Sequence, residues 1–196
     1  GTEEDLHELV STAHEKDMNV LLDFVANHVH IDHPVYQEHP DWATELYLPD
    51  GSLNTERWDE HRLTTWFDVH LPTLDLERPE VYEMLTDSAV YWIDKYDLDG
   101  FRHDATKHIP EVFWRTLTRK LKKQIVESKG VQLYQIGETY GGPELISSYV
   151  GSGMLDAQFD FNVYDDALAV LIRPEESFAR LDASLHESFR YYGVHN

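Results

Sequence analysis

Four short apolar runs, each stopping at polar residues and separated by segments of helical period, constrain this chain more than any other feature. They are Val20 to Val25 (VLLDFV), Gly100 to Asp104 (GFRHD), Val131 to Gly137 (VQLYQIG) and Ala157 to Phe161 (AQFDF). Runs this short suit strands covered on both faces better than helices. The segments between them repeat at helical spacing. Leu6, Leu9, Val10 and Ala13 form one stripe, and Thr2 with Asp5 makes a capping-box start for it. Val81, Leu85, Ala89, Trp92, Ile93 and Tyr96 form a second stripe between Pro79 and Tyr96. Phe113, Leu117, Leu121 and Ile125 form a third, with Pro110 placed as the first residue of its helix. A short helix is expected from Pro143 to Tyr149, and two more from about Val163 to Leu171 and from Glu175 to Tyr191. Strands alternating with helices are the mark of βαβ units and a parallel sheet. A closed barrel of eight such units takes roughly 250 residues, so four readable strands mean an open sheet or about half a barrel.

One stretch breaks the pattern. From His28 to about Leu71 the periodicity fails, and Pro, Asp, His and Trp dominate, with a turn at Pro49-Asp50-Gly51. An irregular segment that long in a compact domain is a functional loop or a small subdomain. Charge narrows the partners. With 37 acidic residues against 16 Lys and Arg, the formal net charge is −21. Such a surface repels phosphate backbones and anionic lipid, so nucleic acid is excluded as a partner, and no apolar run is long enough for a membrane segment. The absence of Cys removes disulfides, thiolate catalysis and Cys-type metal sites.

In parallel α/β folds, chemistry collects at the carboxyl ends of the strands. Those ends present Asp23 with Asn27 and His28, then Arg102 with Asp104, then Glu138, then Asp160. Arg102 and Asp104 stand two apart on one strand, so their side chains face the same side. A guanidinium beside a carboxylate favours the charged form, which suits Asp104 to nucleophilic attack. Glu138 ends the next strand, within reach of Asp104 across the sheet's mouth. Two facing carboxyl groups, one ionised and one protonated, are what glycosidic bond cleavage needs. A single strand-end carboxylate is more often a helix cap or an ion-pair partner, so spacing alone leaves that use open.

The residues carry a resemblance beyond spacing. Asp23-Phe24-Val25-Ala26-Asn27-His28 is similar to the D-x-x-x-N-H motif of glycoside hydrolase family 13, the α-amylase family. Gly100 to His108 (GFRHDATKH) is similar to that family's G-x-R-x-D-x-x-K-H motif. Gly137-Glu138 resembles its third motif, and Leu71-Pro72-Thr73-Leu74-Asp75 its L-P-D-L-D segment. The resemblance implies part of a (β/α)8 TIM barrel, about strands three to six, with a domain B insertion after strand three. The segments would be 1–29 (helix two and strand three), 30–71 (the insertion) and 72–196 (helix three to helix six). It implies Asp104 as nucleophile, Glu138 as general acid and then base, and Arg102 as the group that orients Asp104. His28 would contact the sugar at the cleaved position, and Lys107 and His108 would lie on the leaving-group side. The implied substrate is an α-glucan such as starch, maltooligosaccharides or cyclodextrins, and the reaction is hydrolysis or, alternatively, transglycosylation.

No cofactor is implied for catalysis. Asn27 and the His108 carbonyl resemble ligands of a structural calcium, but Thr73 stands where calcium-binding members have Asp. A hydroxyl is a poor substitute for a carboxylate on a hard cation, so calcium is expected weak or absent. The family's fourth motif, a His-Asp pair after the seventh strand, is not found, nor are the first two strands. The remainder of the barrel is therefore an expected requirement for activity. Two alternatives from other classes stay open at this point. His28 to His33 (HVHIDH) spells a run that could hold zinc in a metallohydrolase. Trp42, Tyr47, Trp58 and Trp66 could stack on sugar rings in a non-catalytic glucan-binding fragment, though aromatics in a small subdomain are more often its core.

Overall fold

A computed structural model describes residues 1–193; residues 194–196, which end the second barrel segment expected above, lie outside the described residues. The chain runs α1 (Glu3–His14), β1 (Leu21–Phe24), α2 (Pro34–Glu38), α3 (Pro79–Tyr96) and β2 (Gly100–His103). It continues with α4 (Glu111–Leu121), α5 (Glu127–Lys129), β3 (Tyr134–Gly137), α6 (Pro143–Ser147), β4 (Ala157–Gln158), α7 (Phe161–Ile172) and α8 (Phe178–Tyr192). The sheet is parallel throughout and ordered β1-β2-β3-β4, each strand paired with the next in sequence. Consecutive parallel neighbours joined by helices are what the alternating pattern requires.

Local chemistry explains the element ends. Thr2 accepts a hydrogen bond from the Asp5 amide at 3.3 Å while the Asp5 carboxylate takes the Thr2 amide at 2.6 Å. The capping box thus satisfies two otherwise orphaned donors of α1. Pro79 opens α3, and Asp97 ends it in the left-handed conformation. The stripe Phe113, Leu117, Leu121 and Ile125 is fully buried, although a π-turn at Lys122–Val126 widens the helix between its last two members. These side chains, with Phe101 of β2, Val81 and Ile93 of α3 and Trp114 of α4, form the core under the sheet.

Several ends differ from expectation. Pro110 is the residue before the helix, not its first residue. The α6 helix stops at Ser147, and α8 starts at Phe178 because the Ser177 hydroxyl accepts from the Ala179 amide at 3.2 Å. The third strand pairs only from Tyr134, since its neighbour β2 begins at Gly100 opposite it. The fourth strand is just Ala157–Gln158, because Asp160 accepts from the Val163 amide at 3.0 Å and starts α7 at Phe161. The strand-end Asp160 is therefore a helix cap.

Between β1 and α3 the chain makes a small irregular lobe stitched by isolated bridges. Tyr47 meets Leu53, Thr55 meets Trp66, and Ala43 meets Leu74. Trp66 is buried and donates its indole N–H to the Thr44 carbonyl at 2.9 Å, so it serves as the lobe's core. Trp42 is half-buried and stacks on His39, whereas Tyr47 is exposed. At its base the two stalks run side by side, with Val29 donating to Pro72 and Leu74 to Asn27.

The start of β2 leaves no room for a side chain. Gly100 has φ +150°, and a Cβ there would lie 1.8 Å from the Tyr134 carbonyl oxygen of β3. Gly100→Ala should therefore lower unfolding free energy in urea by roughly 3 kcal/mol or more, at the upper end for single substitutions. An unchanged urea midpoint would contradict the close approach of these two strands.

Candidate active site

The parallel register places the candidate residues. Asp23 lies beside Arg102, and His103 lies beside Gly137. The ladder continues one step past the strand ends. The Asp104 amide donates to the Phe24 carbonyl at 3.2 Å, and the Glu138 amide donates to the His103 carbonyl at 2.8 Å. Both carboxylates thus project from backbone fixed by a neighbouring strand. Gly137 makes the approach possible, since a Cβ there would lie 2.4 Å from the Gln158 side chain and 2.6 Å from the Thr106 hydroxyl. After Asp104 the chain turns through Ala105, which is left-handed at φ 50°, and one turn at Thr106–His108 carries Lys107 and His108 back beside the carboxylates.

Arg102 is the centre of this arrangement. Its Nη1 donates to Asp23 Oδ1 at 2.6 Å and to Asp104 Oδ1 at 2.8 Å, and its Nη2 forms a close ion pair with Glu138 Oε2. One guanidinium therefore gathers carboxylates from three adjacent strands. Burial works against its charge, yet the hydrogen bonds from Asp23 and Asp104 and the field of Glu138 outweigh that, holding the guanidinium above its ordinary pKa. Asp23 is the member of this cluster that the sequence placed at a strand end without giving it a role. Its signal was the period-two alternation of β1, which becomes informative once β1 is known to lie beside β2.

The other residues are imidazoles and a lysine. His28 is half-buried, its ring stacked on Phe67 with centroids 4.2 Å apart. Burial depresses its pKa, partly offset by the negative charge of Asp104, so it is neutral near pH 7. His108 is held neutral too, its pKa depressed to about 4, chiefly by burial. Its Nδ1 lies 2.6 Å from the Arg62 carbonyl, which can only accept, so the partner assigns the proton to Nδ1 and leaves Nε2 as an acceptor. Lys107 is buried, with its Nζ 3.0 Å from Asp59 Oδ1 of the lobe. A cleft of about 420 Å³ opens over Asp104 and Glu138, with Lys107 and His108 in its wall and Phe67, Tyr140, Phe161 and Tyr164 as its aromatic surfaces. Arg102 and His28 are not in that wall. The lobe residues Asp59, Arg62 and Phe67 were not legible as site residues, because no local pattern ties them to positions some 40 residues later.

Two metal expectations meet different geometry. The HVHIDH run scatters. His28 stacks on Phe67, His30 lies 3.4 Å from the exposed Asp32, and His33 accepts from the Val35 amide as the cap of α2. Among the described residues no group of three or more His, Asp or Glu side chains is placed to hold a metal ion, so the zinc reading fails on direction. For calcium, the Asn27 Oδ1 is buried without a partner, which is the one feature that favours an ion. The Asn27 amide nitrogen approaches the Thr73 hydroxyl at 3.4 Å, and that hydroxyl donates to the Thr65 carbonyl at 2.6 Å. A donor set of amide, hydroxyl and carbonyl, with no carboxylate, does not fit a hard dication.

The chain resembles known proteins over most of its length. Residues 1–190 match a family profile described as alpha amylase, catalytic domain. The "Intracellular maltogenic amylase" of Bacillus subtilis is 30% identical over 153 residues, covering 74% of this chain and 24% of that protein. A "Cyclomaltodextrinase" of Geobacillus thermopakistaniensis is 28% identical over 201 residues, covering 97% of this chain and 32% of that protein. The chain thus spans a third or less of these relatives. Among solved structures, an alpha-amylase from Geobacillus thermoleovorans complexed with acarbose superposes with a TM-score of 0.82 at 32% identity, over 98% of this chain and 41% of the other.

The core beneath the site has an acid sensitivity. His103 points away from Arg102 into the core, fully buried against Trp114, with Nε2 3.2 Å from Gln135 Oε1. Burial lowers its pKa to about 3. Because the folded value is depressed below the unfolded one, its contribution is present above about pH 6.5 and is lost as the pH falls toward 3. Between pH 7 and pH 5 this should remove about 2 kcal/mol of stability. A His103→Asn variant should lose correspondingly less over that interval in guanidinium titrations. Equal losses in the two proteins would contradict a buried neutral His103.

Proposed function

The chain belongs to the α-amylase catalytic-domain family, and from that premise we propose that it carries the catalytic centre of a retaining glycoside hydrolase acting on α-glucans. Starch, maltooligosaccharides or cyclodextrins are the substrate class. One observation supports this reading above the rest: a single guanidinium grips both Asp104 and Glu138 under an aromatic-walled cleft. The proposed layout is two barrel segments, 1–29 and 72–196, flanking an insertion at 30–71. Among the described residues both outer strands of the four-stranded sheet have one neighbour only, so activity is assigned to the chain together with strands that close the barrel.

The geometry suggests a division of labour. Asp104 Oδ1 is committed to Arg102, which leaves Oδ2 to attack the anomeric carbon. As that bond forms, the glycosidic C–O bond breaks, and Glu138, which must enter this step protonated on Oε1 while its Oε2 still accepts from Arg102, gives that proton to the departing oxygen. Glu138, now a carboxylate, takes a proton from water, whose oxygen attacks the anomeric carbon and releases Asp104. Two inversions restore the original configuration. These roles require the two carboxyl groups to stand at the near spacing that retaining enzymes use, roughly 5–5.5 Å. Neutral His28 would contact the sugar at the cleaved bond. His108, with Nε2 as acceptor, and Lys107 would take hydroxyl groups on the leaving side. The assignment includes no cofactor in catalysis and, from the donor set at Asn27 and Thr73, no tightly held calcium.

In the whole catalytic domain, Asp104→Asn should reduce kcat on maltooligosaccharides on the order of 10⁴-fold or more, because an amide cannot form the covalent intermediate. Glu138→Gln should lower turnover of unactivated substrates about 10²- to 10⁴-fold while sparing aryl glycosides whose leaving groups need little protonation. Maltooligosaccharide binding should survive both changes. An Asp104→Asn enzyme with ordinary turnover would refute the roles.

A further inference from the structure

The lobe between β1 and α3 is tied to the catalytic end through Arg62, a residue the catalytic reading does not use. Arg62 stands in the lobe, Lys107 and His108 follow β2, and Tyr149 follows α6, so three distant segments meet there. Arg62 Nη1 donates to the Lys107 carbonyl at 2.5 Å and to the Tyr149 hydroxyl at 2.9 Å. The Tyr149 hydroxyl itself lies 3.3 Å from the same Lys107 carbonyl, and Tyr149 is buried. In return, the Arg62 carbonyl receives the Nδ1–H of His108 at 2.6 Å. The clamp is reciprocal: the Arg62 side chain holds the backbone of the loop, and the Arg62 backbone holds a side chain of that loop.

The ligands of this guanidinium are notable for their charge. A carbonyl and a phenol are neutral oxygens, the kind a protein offers to a hard cation, and they draw together segments that share no strand pairing. A guanidinium brings its own charge and directional donors, and needs neither an anionic ligand nor dehydration of a metal.

We propose that Arg62 is the internal cation that joins the lobe to the barrel, and that it is a positioning residue fixing the orientation of His108. The term positioning rests on the function proposed above; the joining does not. Removing the side chain should free the turn that presents the Arg62 carbonyl, so His108 loses the acceptor that fixes its proton on Nδ1.

The test uses the 196-residue chain and needs no turnover, so its failure and that of the catalytic reading are distinguishable. Thermal unfolding is compared in EDTA and in millimolar calcium chloride. Long-range ¹⁵N–¹H spectra near pH 7.5 report the imidazole tautomers, with His108 assigned by its loss in His108→Gln. The unaltered chain should melt at the same temperature with calcium or EDTA and should show the Nδ1–H form of His108. Arg62→Met should melt about 3–6 °C lower in both media and move His108 toward the Nε2–H form. Arg62→Lys should recover part of both signals, which a loss of packing alone would not predict. Should Arg62→Met fail to fold, Arg62→Gln, which keeps an N–H donor without the charge, is read in the same way. Stabilisation of the unaltered chain by calcium would overturn the proposal, as would an Arg62 variant with an unchanged His108 tautomer.

Discussion

Arg102 lies on β2 with a carboxylate-bearing strand on each side, and the ion pairs it makes with Asp23, Asp104 and Glu138 are what the rest of the site is arranged around. Three carboxylates converging at the mouth of a sheet repel one another; a single fork of fixed geometry makes the cluster tenable. The condition is strict register. Asp23 opposes Arg102 only because Leu21 opposes Gly100, and Glu138 reaches the guanidinium only because Gly100 opposes Tyr134. Register in turn depends on Gly100 and Gly137, where strand and turn approach too closely for a side chain. Removing one partner of such a partly buried pair leaves uncompensated charge and is far more damaging than the pair's net stabilisation suggests.

Much of this was legible in the chain because it is local or periodic. The Thr2–Asp5 capping box, Pro79 at the start of α3 and the stripe from Phe113 to Ile125 each follow from neighbouring residues, and the structure shows all three. Period two put Arg102 and Asp104 on one side, as they are found. What escaped depends on distance in sequence. Asp23 acquires its partner only through sheet order. Arg62 meets Lys107 and Tyr149 through the path of the lobe, which no periodicity records. The fourth strand shrank because the Asp160 side chain competes for backbone donors and starts a helix early, a preference that Asp carries wherever it precedes an apolar run. The HVHIDH run misleads for the opposite reason: residues close in sequence turn to different surroundings when the backbone is irregular.

The lobe is more than a covering loop. Phe67 packs on His28 and His108, Asp59 pairs with Lys107, and Arg62 clamps the turn that follows Asp104. His28, Lys107 and His108 are thereby each in contact with a residue of the lobe. Burial lowers the pKa of His28 and holds that of His108 at about 4, which favours the neutral, hydrogen-bonding form of each. The charged work is left to Arg102 and its carboxylates. Lobe and sheet divide the site between them: one sets polar contacts and shape, the other sets charge.

The central claim, that Asp104 forms a bond to the sugar while Glu138 moves the proton, is tested most directly by the anomeric form of the first product. Proton NMR of an early time course, with the whole catalytic domain acting on an α-linked maltooligosaccharide, resolves the two anomers before mutarotation mixes them. The account predicts the α-anomer first, with the β-anomer appearing only as the free sugar equilibrates. A β-anomer released first would mean that water attacks directly, and that the carboxylates gathered by Arg102 do not work as assigned.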